Sequence, residues 1–110
     1  MSVDGSFEVR RLGSDGHFGL LGELDMAGLD DLFEGLRRGI DGGGTLALDL
    51  SELTFLDFVG GHAIGVVGSM IAGRGSVVLL SPSHQVLKLL KLMGADTFPG
   101  VYIPELLQSA

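Results

Sequence analysis

The sequence has no cysteine and no tryptophan, and only three prolines and one tyrosine. Without cysteine there are no disulfides, no thiolate catalysis and no cysteine-ligated zinc. Aromatic residues make up 6% of the chain, so a core must be built from Leu, Val and Ile. Cations are scarce too: 7 Lys and Arg stand against 14 Asp and Glu, a formal net charge of -7. Nucleic-acid binding and basic membrane-surface helices both need clustered positive charge, and this balance argues against them. A charged partner is expected to be a basic protein. The longest apolar stretch, Ala63 to Ala72, is interrupted by glycine. It falls far short of the roughly 20 residues that a membrane span needs. The N-terminal "MSVDGSFEVRR" lacks the apolar segment of a signal peptide. A cytoplasmic protein without direct membrane insertion is the expectation.

What the chain does contain is aliphatic side chains and glycine. Its 110 residues, 45% of them apolar, fit one domain over residues 1-110 with one packed core. Glycine occupies 19 positions, scattered among periodic apolar residues rather than gathered into a linker. No internal repeat is visible.

The apolar pattern alternates between two periods. Phe7 to Arg10 alternates as a half-buried strand, "GSDG" at Gly13 to Gly16 reads as a turn, and His17 to Leu24 reads as a second strand. Met26, Leu29, Leu32, Phe33, Leu36 and Ile40 then fall on one helical stripe. Asp25 is a candidate N-cap for that helix. Asp30 and Asp31 suit the start of the dipole, and Arg37 and Arg38 its end. Gly42 to Gly44 stop it. Leu46, Leu48 and Leu50 mark a third strand, and "SELTFLD" leads from it into a second helix, from about Val59 to Ala72. In that helix Ala63, Val67 and Met70 form a row with Ile64 and Ile71 beside it. Gly60, Gly61, Gly65 and Gly68 lie in it as well, each less favourable than Ala by roughly 1 kcal/mol. Tertiary packing must offset that cost, and close approach to the sheet is the expected means. Val77 to Leu80 read as a buried central strand. A third helix follows, with Ser81 as its cap, Pro82 in its first turn, and an apolar face of Val86, Leu87, Leu90 and Met93. Lys88 and Lys91 lie on its wet side, and Gly94 is its stop. Val101 to Ile103 form a last short strand before a terminal helix at Pro104. This order predicts an α/β fold: a mixed β-sheet, mostly parallel, with an antiparallel N-terminal strand pair, packed with helices.

Few residues invite catalysis. His17, His62 and His84 show no metal-ligand spacing. No serine stands in a nucleophile elbow, and the Gly42 to Gly44 run precedes a strand with no Lys-Ser/Thr pair behind it. No catalytic residue, metal or cofactor is expected. The remaining candidate is the strand-to-helix turn in "TFLDFVGGHAIGV", Thr54 to Val66. Asp57 reads as a cap there. A helix start offers free N–H groups and the positive end of a dipole, which would tolerate a phosphorylated hydroxyl. Phe58 and Val59 stand where such hydroxyls would be.

Three segments together, "GELDMAGLDDL", "LALDLSELTFLDFVGGHAIGVV" and "SVVLLSPSHQVLKLLKLMGADTFPGVY", resemble the STAS domain of sulfate transporters and bacterial anti-sigma factor antagonists. The likeness runs from about Phe7 to Tyr102. It implies a STAS-like fold and a non-catalytic role in transcription regulation, by binding an anti-sigma factor that is a serine-protein kinase. Phosphorylatable members carry Asp-Ser-Ser-Gly, or a Thr variant, at the turn. Here Asp57 and Gly60 match, Phe58 and Val59 take the two hydroxyl positions, and Gly61 and His62 follow. Val59 therefore occupies the family phosphoacceptor position and cannot accept phosphate. The resemblance makes Asp57, Phe58, Val59, Gly60, Gly61 and His62 the expected partner-binding residues, with Phe58 and Val59 as apolar contacts and the glycines admitting a partner's backbone. Ser51 and Thr54 are the nearest other hydroxyls. STAS proteins also serve as subunits of larger assemblies, including ABC lipid transporters and stress-sensing complexes. A homo- or hetero-oligomer is compatible with either role.

Overall fold

The computed structural model describes residues 6–13 and 15–107. Ser14 of the expected turn, and residues 1–5 of the segment read for a signal peptide, lie outside them. Six strands, β1 (Phe7–Arg11), β2 (His17–Leu24), β3 (Gly44–Asp49), β4 (Leu53–Leu56), β5 (Gly75–Leu80) and β6 (Val101–Tyr102), form one sheet. Four helices accompany it: α1 (Leu29–Gly42), α2 (Phe58–Ile71), α3 (His84–Leu92) and α4 (Pro104–Leu107). The order across the sheet is β1-β2-β3-β5-β6, and β4 pairs with β2. Among the described residues only β1 and β2 run antiparallel; the other pairings are parallel, as the strand–helix alternation predicts.

One strand organises the rest. The first half of β2 pairs with β3 at His17 to Gly19, and its second half pairs with β4 at Gly22 to Leu24. The register shifts between Gly22 and Glu23, where Gly22 has φ 92°. A side chain at Gly22 would collide with the Ser6 carbonyl, so only glycine fits the bend. The strand that enters the turn at Asp57 is Leu53–Leu56, a strand of its own beside β2 and not a continuation of β3.

The core is aliphatic. Leu20, Leu24, Leu32, Leu36, Leu46, Leu48, Leu50, Leu53, Ile64, Ile71, Leu79 and Leu90 are the largest fully buried side chains. The apolar stripe of α1 holds at Leu32, Leu36 and Ile40 but not at its start. Asp25 caps a short 3-10 turn, Met26–Gly28, by accepting the Ala27 N–H at 3.0 Å, and Met26 is 72% exposed. The 3-10 turn breaks the helical phase, so Met26 is thrown outward.

The far end of α1 also departs from expectation. The helix continues to Gly42, which leaves no basic residue in its last turn. Arg37 instead pairs with Glu34 at 3.1 Å. The C-terminal carbonyls are served from elsewhere: Arg74 Nη2 donates to Ile40 O at 2.9 Å and Nη1 to Asp41 O at 3.3 Å. In α3 the cap is Ser83, whose side chain accepts the Val86 N–H at 3.2 Å, and not Ser81. Ser81 has φ 56°, a left-handed turn residue that no N-cap adopts, so Pro82 precedes the helix instead of opening it. Gly94 ends α3 with φ 71°, as read from the sequence.

Candidate functional site

The neighbouring strands β2 and β4 finish side by side, with Leu24 and Leu56 as register partners. Each then turns in the same way. Leu24-Asp25-Met26 enters the turn before α1, and Leu56-Asp57-Phe58 enters α2. Both aspartates act as caps. The Asp57 side chain accepts the Gly60 N–H at 2.8 Å, and its carbonyl accepts the Gly61 N–H at 2.9 Å. Asp57 N donates back to Leu24 O at 3.4 Å, tying the second turn to the first.

Behind these caps the two residues in question face outward. Phe58 is 56% exposed and Val59 is 44% exposed. Neither fills the core beneath the turn. A capped helix start with two exposed apolar side chains offers apolar contact area to a partner. Met26, on the adjacent strand end, adds a third. Sequence periodicity placed it in the core; the repeated Leu-Asp-apolar pattern of the two strand ends is the signal that relates it to Phe58.

The glycines do something else. Gly60 and Gly61 are buried. A Cβ on Gly60 would stand 2.5 Å from the Leu24 carbonyl oxygen, and one on Gly61 would collide with the Met93 sulfur. Gly65 and Gly68 meet Phe98 and Val101 in the same manner. The glycines therefore admit this chain's own strand end and C-terminal segment, not a partner's backbone, and that expectation is corrected. The close packing expected of them is present.

His62 is exposed on the outer face of α2. With Phe58, Val66 and Met70 it forms a row spaced four residues apart, every member exposed. Met70, read from the sequence as core, is 50% exposed, while Ala63, Ile64, Val67 and Ile71 are buried. No Asp, Glu, Lys or Arg occurs anywhere in α2. Of the other hydroxyls near the turn, Thr54 donates to Gly22 O at 3.1 Å. Ser51 precedes β4, and its N–H donates to the Asp49 side chain at 2.8 Å.

His17 lies in β2 and His84 opens α3, well apart in the chain from His62. Among the described residues no group of three or more His, Asp or Glu is placed to hold a metal ion. No described helix is long and apolar enough to cross a membrane.

Comparison with known proteins agrees with this geometry. A family model described as "Mlab, STAS domain" matches residues 7–108. A search of curated proteins finds no match. Among solved structures, an anti-sigma factor antagonist from Mycobacterium paratuberculosis superposes with a TM-score of 0.71 at 22% identity, covering 93% of this chain and 90% of that one. A putative anti-sigma factor antagonist from Thermotoga maritima gives 0.66 at 21% identity, covering 93% and 92%. The anti-sigma factor antagonist SpoIIAA in its unphosphorylated form gives 0.61 at 19% identity, with the same coverage of 93% and 92%. At such identities the likeness is one of fold.

Proposed function

The chain belongs to the STAS domain family, and from that premise we propose that it is a non-catalytic binding protein resembling an anti-sigma factor antagonist. It regulates transcription in the cytoplasm by holding a kinase-type anti-sigma factor. The binding surface is the start of α2, with Phe58, Val59 and His62 exposed on it and Asp57 fixing its direction. Gly60 and Gly61 shape that surface from below.

One observation carries this reading: Phe58 and Val59 both stand exposed on a capped helix start. An exposed Phe is a residue type enriched at protein interfaces, and Val59 adds apolar area beside it. The mode of regulation is drawn from the family resemblance. Val59 takes the family's phosphoacceptor position and has no oxygen to receive phosphate. The complex is therefore constitutive with respect to phosphorylation at this turn. Of the nearest other hydroxyls, Thr54 donates to Gly22 O at 3.1 Å and Ser51 precedes β4.

The test is calorimetric titration of a purified kinase-type anti-sigma factor from the same organism. Binding that weakens at least about tenfold in Phe58→Asp, an energy of roughly 1.4 kcal/mol, with unchanged thermal unfolding supports the proposal. Wild-type affinity in Phe58→Asp and Val59→Asp removes it.

A second reading, a STAS subunit of a larger assembly such as an ABC lipid transporter or a stress-sensing complex, draws on a different observation. The exposed row continues along α2 from Phe58 through His62 and Val66 to Met70 and is not confined to the helix start. Affinity purification that recovers an ATPase subunit in place of an anti-sigma factor selects this reading.

A further inference from the structure

The last member of the outer row of α2, Met70, borders a groove that runs along the face of α1. The groove measures about 540 Å³ and is lined by Asp30, Asp31, Phe33, Glu34, Arg37, Ile40, Asp41 and Met70. Its two sides differ in character. From α2 the lining residue is Met70, which is apolar and 50% exposed. The α1 side holds four carboxylates and one guanidinium, and that guanidinium is paired with Glu34 at 3.1 Å. Asp30, Asp31 and Asp41 form no ion pair among the described residues. At the bottom lie Phe33, half-buried, and Ile40, buried.

We propose that this α1–α2 groove receives a basic amphipathic helix of the partner protein. Charge complementarity selects the occupant. A helix with an apolar row would cover Phe33 and Met70, while Lys or Arg on its flank would meet the carboxylates of α1. In a second copy of this chain α1 carries the same negative wall and α2 no cation, while α3 carries Lys88 and Lys91. The dimerisation measured below separates that occupant from the partner helix. An anionic lipid surface is repelled by the negative wall. The inference rests on the partner-binding reading and extends it: Phe58 and Val59 anchor one end of the contact, and the groove supplies its length and its charge preference.

The experiment uses the full chain and two synthetic peptides of about 18 residues, roughly five helical turns. Both carry leucine at helical spacing, one with lysine on the remaining positions and one with glutamate. Binding is followed through the Met70 methyl resonance and the Phe33 ring signals. The lysine peptide is expected to bind, to shift both signals and to lose affinity as salt rises, while the glutamate peptide does not bind. Asp41→Lys is expected to weaken the lysine peptide at least about tenfold, an effect readable as a change in Kd. That substitution places a cation at the end of α1, where it suits the helix dipole. Arg74 lies on the carbonyls of the same turn, so the thermal unfolding of Asp41→Lys is measured beside wild type to separate lost binding from lost folding. Met70→Asp checks the apolar side independently.

Equal binding of the two peptides, shifts confined to residues outside the groove, or an unaffected Asp41→Lys overturns the proposal. So does concentration-dependent dimerisation abolished by Met70→Asp, which gives the groove to a second copy. Failure here is distinguishable from failure of the functional reading. An anti-sigma factor that binds Asp41→Lys and Met70→Asp normally but not Phe58→Asp leaves the function standing and removes the groove. Lysine-peptide binding with no anti-sigma factor bound does the reverse.

Discussion

The Asp57 carboxylate accepts the Gly60 N–H at 2.8 Å, and the two residues bracket Phe58 and Val59. The bond holds the first turn of α2 in register with the end of β4. Two apolar side chains are thereby kept pointing outward, because the alternative, rotating the turn, would leave a buried amide without a partner.

Asp57→Ala removes that acceptor. The expected loss is about 1 kcal/mol of unfolding free energy, within the roughly 0.5–2 kcal/mol span of lost N-caps. Asp57→Asn keeps an acceptor oxygen and recovers most of it. Urea denaturation at constant slope measures both.

The two glycines after the turn separate under substitution. Alanine improves helix propensity by about 1 kcal/mol at either position. At Gly60 the new methyl meets a backbone oxygen, that of Leu24, at 2.5 Å, which cannot swing aside. At Gly61 it meets the end of the Met93 side chain, which can. Gly60→Ala is expected to destabilise by about 1–3 kcal/mol, as overpacked sites do, and Gly61→Ala by at least about 1 kcal/mol less. Equal effects would refute the packing account.

Arg74 joins two helix ends: besides Ile40 O and Asp41 O it reaches Met70 O at 3.3 Å. Arg74→Ala is expected to cost about 1–2 kcal/mol, because the last carbonyls of α1 lose a charged donor. Arg74→Lys restores only part of this, since one ammonium cannot span the three acceptors. Denaturant midpoints for the three proteins order them wild type, lysine, alanine.

How much of this was legible beforehand depends on the residue. The Asp57 cap, the Gly94 stop and the alternating leucines of β3 could be read directly, because each rests on local chemistry. Met70 could not. Nearly every position of α2 is apolar or glycine, so periodicity has no polar face to mark the outside. The same uniformity hid the row from Phe58 to Met70. Ser81 and Ser83 are equally good caps on paper, and only the left-handed φ at Ser81 decides between them. Arg74 acts across 34 positions of sequence on Ile40, a relation no local pattern encodes.

Val59→Ser puts a hydroxyl on the second residue of α2. Val59 is exposed, so stability should move by less than about 1 kcal/mol, as surface changes do. Incubated with a kinase-type anti-sigma factor and ATP, this variant is expected to gain one phosphate, favoured by the helix dipole. Intact-mass spectrometry reads the gain directly.

The central claim is a partner contact at the start of α2 that phosphorylation does not release. It is tested most directly with the unaltered protein, a purified kinase-type anti-sigma factor and ATP, following complex and intact mass in one sample. The account predicts that the complex persists and that the chain's mass does not change. Phosphate on the chain, with dissociation of the complex, would contradict it.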